Sequence, residues 1–157
     1  MKTDRLSITS GCGGCSRREM LQGLGAAAVG AVLVASCASD EGSKLPFATG
    51  ASCGSGQCID LTSTSNKELT TAGGAMLLTM GSDTVMVIRS SDTAVIALSA
   101  ICTHEGCSMD YNASQNRLDC PCHGSRFSMD GKVLTGPASR PVRVYTATLA
   151  NNMITVS

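Results

Sequence analysis

From Ile59 onward the apolar residues fall in short runs broken by Gly, Ser, Asp and Asn, without the three-to-four spacing of a helix face. Such runs read as strands. They are predicted over residues 59–61, 75–80, 84–89 and 94–99, with Gly81-Ser82-Asp83 and Ser90-Ser91-Asp92 as hairpin turns between the later ones. Residues 142–149 and 153–156 form a closing hairpin around Asn151-Asn152, a pair that tolerates positive φ. No amphipathic helix of useful length interrupts the pattern. The expected fold is therefore all-β, a small antiparallel scaffold whose polar segments are loops held at both ends by strands.

Before that point the pattern is different. Residues 38–56 are rich in Ser, Gly, Ala and Asp and read as a flexible tether. Cys53 and Cys58 close it, and in an oxidising compartment they are expected to form a local disulfide. Residues 1–37 read as an export leader. Ser16-Arg17-Arg18-Glu19-Met20-Leu21 has the twin-arginine pattern and precedes an uncharged, Gly- and Ala-rich run over residues 20–39. Val34-Ala35-Ser36-Cys37 resembles a lipobox, which makes Cys37 a candidate for acylation. Retention of the apolar run as an anchor, or plain cleavage to a soluble form, are the alternatives. Each places the domain of residues 57–157 outside the cytoplasm, in the periplasm or on the outer face of the membrane. Cys12 and Cys15 form a lone C-x-x-C without a second half and receive no role.

The 157 residues, 43% hydrophobic and 15% charged, suffice for one domain. The formal charge is zero, so no nucleic-acid footprint is visible. Phe47, Tyr111, Phe127 and Tyr145 are the whole aromatic complement, and a core so short of aromatic surface gains from a metal or disulfide staple.

The staple is legible between residues 102 and 127. Both histidines and four of the nine cysteines lie there, in the boxes C-T-H-E-G-C and C-P-C-H-G-S. Each box offers one Cys and one His, so the pair can present two thiolates and two imidazoles to one centre, and the spare Cys107 and Cys122 could close a disulfide. Two Cys with two His suit a structural zinc or an iron-sulfur cluster. Zinc fingers keep like ligands together; one Cys and one His from each loop suits two bridged metals, with cysteines on one iron and histidines on the other.

These boxes, followed by Gly136-Pro137-Ala138, resemble the Rieske [2Fe-2S] family, of the disulfide-containing type found in quinol:cytochrome c oxidoreductases. The resemblance implies a Rieske-like small antiparallel β sandwich with a two-loop cluster-binding subdomain and one [2Fe-2S] cluster. It implies Cys102 and Cys120 on the inner iron, His104 and His123 on the outer one, and a disulfide from Cys107 to Cys122. It further implies that Ser125 donates its hydroxyl to a bridging sulfide and that 136–138 cover the site. Two neutral imidazoles in place of two thiolates make the oxidised centre neutral rather than doubly negative, so an added electron costs less; such centres lie at about −150 to +300 mV, against about −400 mV for all-cysteine plant-type clusters.

Two residues depart from the family pattern. Phe127 stands where high-potential members carry a Tyr that bonds a ligand sulfur, and Glu105 where quinol-oxidising members place an apolar Leu. A carboxylate there disfavours the reduced cluster and makes entry into an apolar quinone pocket costly. Met109 and Met129 read as apolar cover, and Asp110, Asp119 and Asp130 as turn residues rather than a calcium set. Arg126, Arg140 and Arg143 either line one rim toward an anionic partner or form a solvated face, the plainer account. No nucleophile-base pair or paired carboxylates are present, so no catalytic residue is assigned. The expected function is one-electron transfer by an exported, membrane-tethered carrier with a redox protein as partner, a cytochrome or an oxidoreductase subunit. The alternative is the iron-sulfur subunit of a membrane cytochrome bc-type quinol-oxidising or arsenite-oxidase-like complex.

Overall fold

The structure, a computed structural model, describes residues 43–157. The leader, Cys37 and the Cys12/Cys15 pair lie outside the described residues. Twelve strands form three four-stranded antiparallel sheets. The first joins β1 (Gly50–Cys53), β2 (Gly56–Asp60), β12 (Met153–Val156) and β11 (Ala147–Ala150), in that order. The second runs β10 (Val144–Tyr145), β5 (Val95–Ser99), β4 (Asp83–Arg89), β3 (Ala75–Met80). The third is the sequential meander β6 (Asp110–Asn112), β7 (Arg117–Asp119), β8 (Arg126–Ser128), β9 (Val133–Thr135).

The second sheet is buried on both faces, which explains why β3 and β4 are continuous apolar runs rather than alternations. Met76, Leu78, Val85 and Val87 point to one core, shared with Ile59, Ile154 and Val156 of the first sheet. Leu77, Met86 and Ile88 point to the other, shared with Leu118 and Phe127 of the third sheet and with Cys102 and Cys120. The expected sandwich is thus the first two sheets, and the third is the cluster-binding subdomain. One core of nine buried residues and one of thirteen allow the domain to manage with few aromatics.

The predicted hairpins form. Asn151 and Asn152 adopt φ of 51° and 57°, the left-handed pair that a two-residue turn between right-twisted strands requires. Three features differ from expectation. The expected strand over residues 142–149 is broken into β10, which pairs with β5 in the second sheet, and β11, which forms the closing hairpin with β12 in the first. Part of the expected tether belongs to the fold: Phe47 bridges to Leu77, β1 pairs with β2, and the Cys53–Cys58 disulfide closes that hairpin. A 3-10 helix at Thr64–Thr70, absent from the sequence reading, drops Leu69 into the first core.

Asn66 in that helix is fully buried and acts as a three-way clasp. Its carboxamide accepts the Thr49 N–H at 2.8 Å and donates to the carbonyls of Thr49 at 3.0 Å and Asp60 at 2.9 Å. Asn66→Ala would leave the Thr49 N–H and carbonyl without this partner and the Asp60 carbonyl with the Ser63 N–H at 3.4 Å, at about 1 kcal/mol for each hydrogen bond lost. Urea unfolding should show a lower midpoint with an unchanged slope, a loss of about 3 kcal/mol in all; a loss below about 0.5 kcal/mol, the range of ordinary surface changes, would show that water replaces the clasp.

Candidate metal centre

The two boxes, unlike in letters, are alike in backbone. In the first, the Cys102 N–H donates to the Cys107 carbonyl at 2.8 Å and the Gly106 N–H to the Cys102 carbonyl at 2.9 Å. In the second, the Cys120 N–H donates to the Ser125 carbonyl at 2.8 Å and the Gly124 N–H to the Cys120 carbonyl at 3.0 Å. Each loop turns on its glycine, at φ of 78° for Gly106 and 77° for Gly124, a region closed to most side-chain-bearing residues. The boxes are therefore two copies of one hairpin-like loop, and their differences are positional. Two places after its first Cys, box one carries His104 and box two Cys122; five places after, box one carries Cys107 and box two Ser125. The Cys107–Cys122 disulfide, Cα atoms 6.5 Å apart, joins the fifth place of one loop to the second of the other.

Cys102 and Cys120 sit at the loop bases, each 2% exposed, in the same core as Phe127, Leu118 and Met109. They are the free cysteines among the described residues. Burial above all, and then the neighbouring Cys102 thiol, push the Cys120 thiol upward, against the pull of the Cys122 and His123 backbone N–H groups. A thiolate there needs a cation beside it. The N–H groups already aimed at this sulfur are the donors that a metal-bound thiolate uses, and both features fit an iron centre.

The imidazoles occupy the opposite, solvent side. The rings of His104 and His123 meet edge to face with centroids 4.9 Å apart. Glu105 joins them, its Oε2 3.7 Å from His123 Nε2, with the two side chains 61% and 44% exposed. The carboxylate that breaks the family pattern therefore stands on the histidine tip itself.

The 136–140 segment is tied to both boxes. Ser125, fully buried, accepts the Ala138 N–H on its Oγ at 2.9 Å. That contact uses the oxygen as acceptor and leaves the hydroxyl proton uncommitted. Thr103 donates from Oγ1 to the Arg140 carbonyl at 2.6 Å. The sequence reading did not single out Thr103; a hydroxyl between the Cys and the His of a box was the available signal. Nor did it see Ser99 and Tyr145, whose hydroxyls donate to Asp83 at 2.9 and 2.5 Å while Ser99 Oγ accepts the Ile101 N–H at 3.2 Å. This network fixes the strand end from which box one departs.

Other expectations resolve simply. Met109 is fully buried and Met129 packs against the same core, as apolar cover. Asp110 and Asp119 lie on paired strands rather than in turns, and Asp119 is taken up by Arg117 at 2.7 Å and Asn112 at 2.9 Å. Asp130 pairs with Lys132 at 2.6 Å in a surface turn. Arg126 lies 3.8 Å from Asp119, while Arg140 and Arg143 line a separate cleft beside Cys102. The three arginines do not form one rim.

Comparison with known proteins agrees with this geometry. The family model of the Rieske [2Fe-2S] domain matches residues 60–146. The cytochrome b6-f complex iron-sulfur subunit of Synechococcus sp. (strain JA-3-3Ab) is 40% identical over 77 residues, covering 49% of this chain and 45% of that protein. The subunit of the same name from Chlorobaculum tepidum is 33% identical over 85 residues, 54% of this chain and 46% of that protein. The chain thus spans less than half the length of these curated relatives. Among solved structures, the cyanobacterial plasma membrane Rieske protein PetC3 from Synechocystis PCC 6803 superposes with a TM-score of 0.50 at 32% identity, over 54% of this chain and 86% of that one. With the family model covering more than half of its length, from β2 through the two boxes to β10, the chain belongs to the Rieske [2Fe-2S] domain family and its cofactor is one [2Fe-2S] cluster.

Proposed function

We propose that Cys102 and Cys120 hold the inner iron and His104 and His123 the outer one, and that the chain serves as a one-electron carrier. The observation that carries this reading is the sorting of the four side chains, with two thiols buried in the core and two exposed imidazoles side by side. The cluster supplies reversible one-electron storage. The chain does the rest. The buried thiols anchor the centre and exclude water, the disulfide clasps the loops, and Ser125 is poised to donate its proton to sulfur. The histidine tip is where a partner can come within short electron-transfer distance.

Residues 1–37 are proposed as a twin-arginine leader, with Cys37 as the acylation site, and the segment after it as the link to the membrane. Among the described residues no helix is long and apolar enough to cross a membrane. The carrier reading rests on Glu105, which adds an exposed carboxylate where an apolar tip would enter a quinol pocket. The second reading, a subunit of a quinol-oxidising complex, rests on the relatives that bear that name.

Dithionite reduction of the purified protein should give the rhombic, low-mean-g EPR signal of mixed His and Cys ligation. An EPR-silent protein holding one zinc would end the proposal. Purification from native membranes separates the two readings: a b-type haem travelling with the chain selects the complex, and its absence the carrier.

A further inference from the structure

Beside the buried face of the centre lies a cleft that the proposed function leaves unused. Its volume is about 370 Å³, and Asp83, Ser99, Cys102, Thr103, Arg140 and Arg143 contribute to its wall. Arg140 and Arg143 are exposed, and neither has a carboxylate within 4.0 Å among the described residues, where Arg117 and Arg126 both have Asp119. Arg143 is held in place from one side, its guanidinium stacked 4.6 Å from the centre of the Tyr145 ring. The Arg140 backbone is held from another, its carbonyl taking the Thr103 hydroxyl at 2.6 Å. Asp83 is the one acid in the wall, and its two oxygens are already engaged by the hydroxyls of Ser99 and Tyr145. Two guanidinium groups, that of Arg143 stacked in place and that of Arg140 carried on an anchored backbone, against one hydrogen-bonded carboxylate leave a net positive cleft whose fork donors have no carboxylate partner, the chemistry that takes up an oxyanion or a carboxylate.

We propose that this cleft binds an oxyanion or carboxylate between Arg140 and Arg143, and that binding is coupled to the redox state of the centre through the adjoining Cys102. The coupling follows from charge alone. Reduction adds one negative charge to the centre behind Cys102, so a bound anion is repelled more strongly after the electron arrives. When the cleft is filled, the incoming electron weakens the hold on the anion, and loss of the electron restores it. By reciprocity the anion must then lower the midpoint potential. The coupling rests on Cys102 being a cluster ligand, whereas the binding does not.

The test uses the cluster-loaded protein and sodium sulfate, at an ionic strength held constant so that general screening does not change. Calorimetric titration of the oxidised protein should show saturable binding of sulfate, and voltammetry a midpoint that falls with sulfate and then levels off. A tenfold weaker affinity in the reduced form corresponds to about 59 mV. In the double variant Arg140→Gln/Arg143→Gln both responses should vanish with the EPR signal of the cluster retained, while Arg126→Gln should respond as the parent does. A tetraglutamate peptide, run in parallel, identifies the source. Saturation by sulfate points to a dissolved anion, and saturation by the peptide alone to an acidic segment of a partner. Absence of binding by both in the parent protein, or a sulfate response that survives in the double variant, overturns the site. Binding without any shift of potential overturns the coupling alone, and a parent protein that holds no cluster, yet still binds sulfate, overturns the proposed ligand set rather than the cleft.

Discussion

Cys102→Ala and Cys120→Ala are each expected to yield a folded chain that carries no cluster. Each thiol is the one free sulfur at the base of its loop, and each is 2% exposed. Among the described residues no other thiol stands ready as a substitute. Cys107 and Cys122 are bonded to each other, and Cys53 and Cys58 are bonded in the first sheet. Water is an equally poor replacement, because the position lies inside the core with Phe127 and Leu118. Losing one of the four proposed ligands from a buried position therefore removes the centre rather than weakening it. Iron and acid-labile sulfide should fall from two of each per chain in the parent to background in both variants. Ser125→Ala is the informative control: its hydroxyl is proposed to tune the centre and not to ligate it, so full iron with a lowered potential is expected. Retention of full iron by either cysteine variant would show that the ligand set is wrong.

The same pair of residues marks where the sequence was transparent. Cys102, His104, Cys120 and His123 could be picked out because metal chemistry dictates residue types at short spacings, and short spacings survive translation into a loop unchanged. The strands were legible for a related reason, since apolar runs between turn residues need no partner to be recognised. The likeness of the two boxes was not legible. It lies in backbone hydrogen bonds that Cys-x-His and Cys-x-x-His disguise, and it becomes visible only when the bonds from Cys102 and Cys120 are compared. The Asn66 clasp was hidden because its partners are main-chain atoms, those of Thr49 lying 17 residues away. Arg126 was grouped with Arg140 and Arg143 by composition; β7 and β8 pairing gives it Asp119 instead. Long-range pairing decides such cases, and a single sequence does not state it.

Phe127→Tyr is expected to raise the midpoint potential. Phe127 is fully buried on β8, between Leu118 of β7 and Val133 of β9, and shares its core with both ligand-type thiols. A hydroxyl added to this ring cannot reach bulk water, so it must find an acceptor inside the core. The sulfurs of the centre are the polar atoms the family pattern pairs with a Tyr at this position, and a bond to one of them stabilises the more negative, reduced state over the oxidised one. A hydrogen bond of that kind contributes about 1–1.5 kcal/mol, and a preference of that size for the reduced form is a rise of about 60 mV in a one-electron couple. If the hydroxyl finds no partner, the cost instead appears as stability, a loss of about 1–3 kcal/mol with the potential unchanged. Voltammetry and urea unfolding of the same variant separate the two outcomes. A raised potential with stability kept would show that this chain holds its potential down by omitting one donor from a cradle in which the Cys122 and His123 backbone N–H groups already reach the Cys120 sulfur. An unchanged potential would move the tuning to Glu105, whose carboxylate lies 3.7 Å from His123 on the other side of the centre.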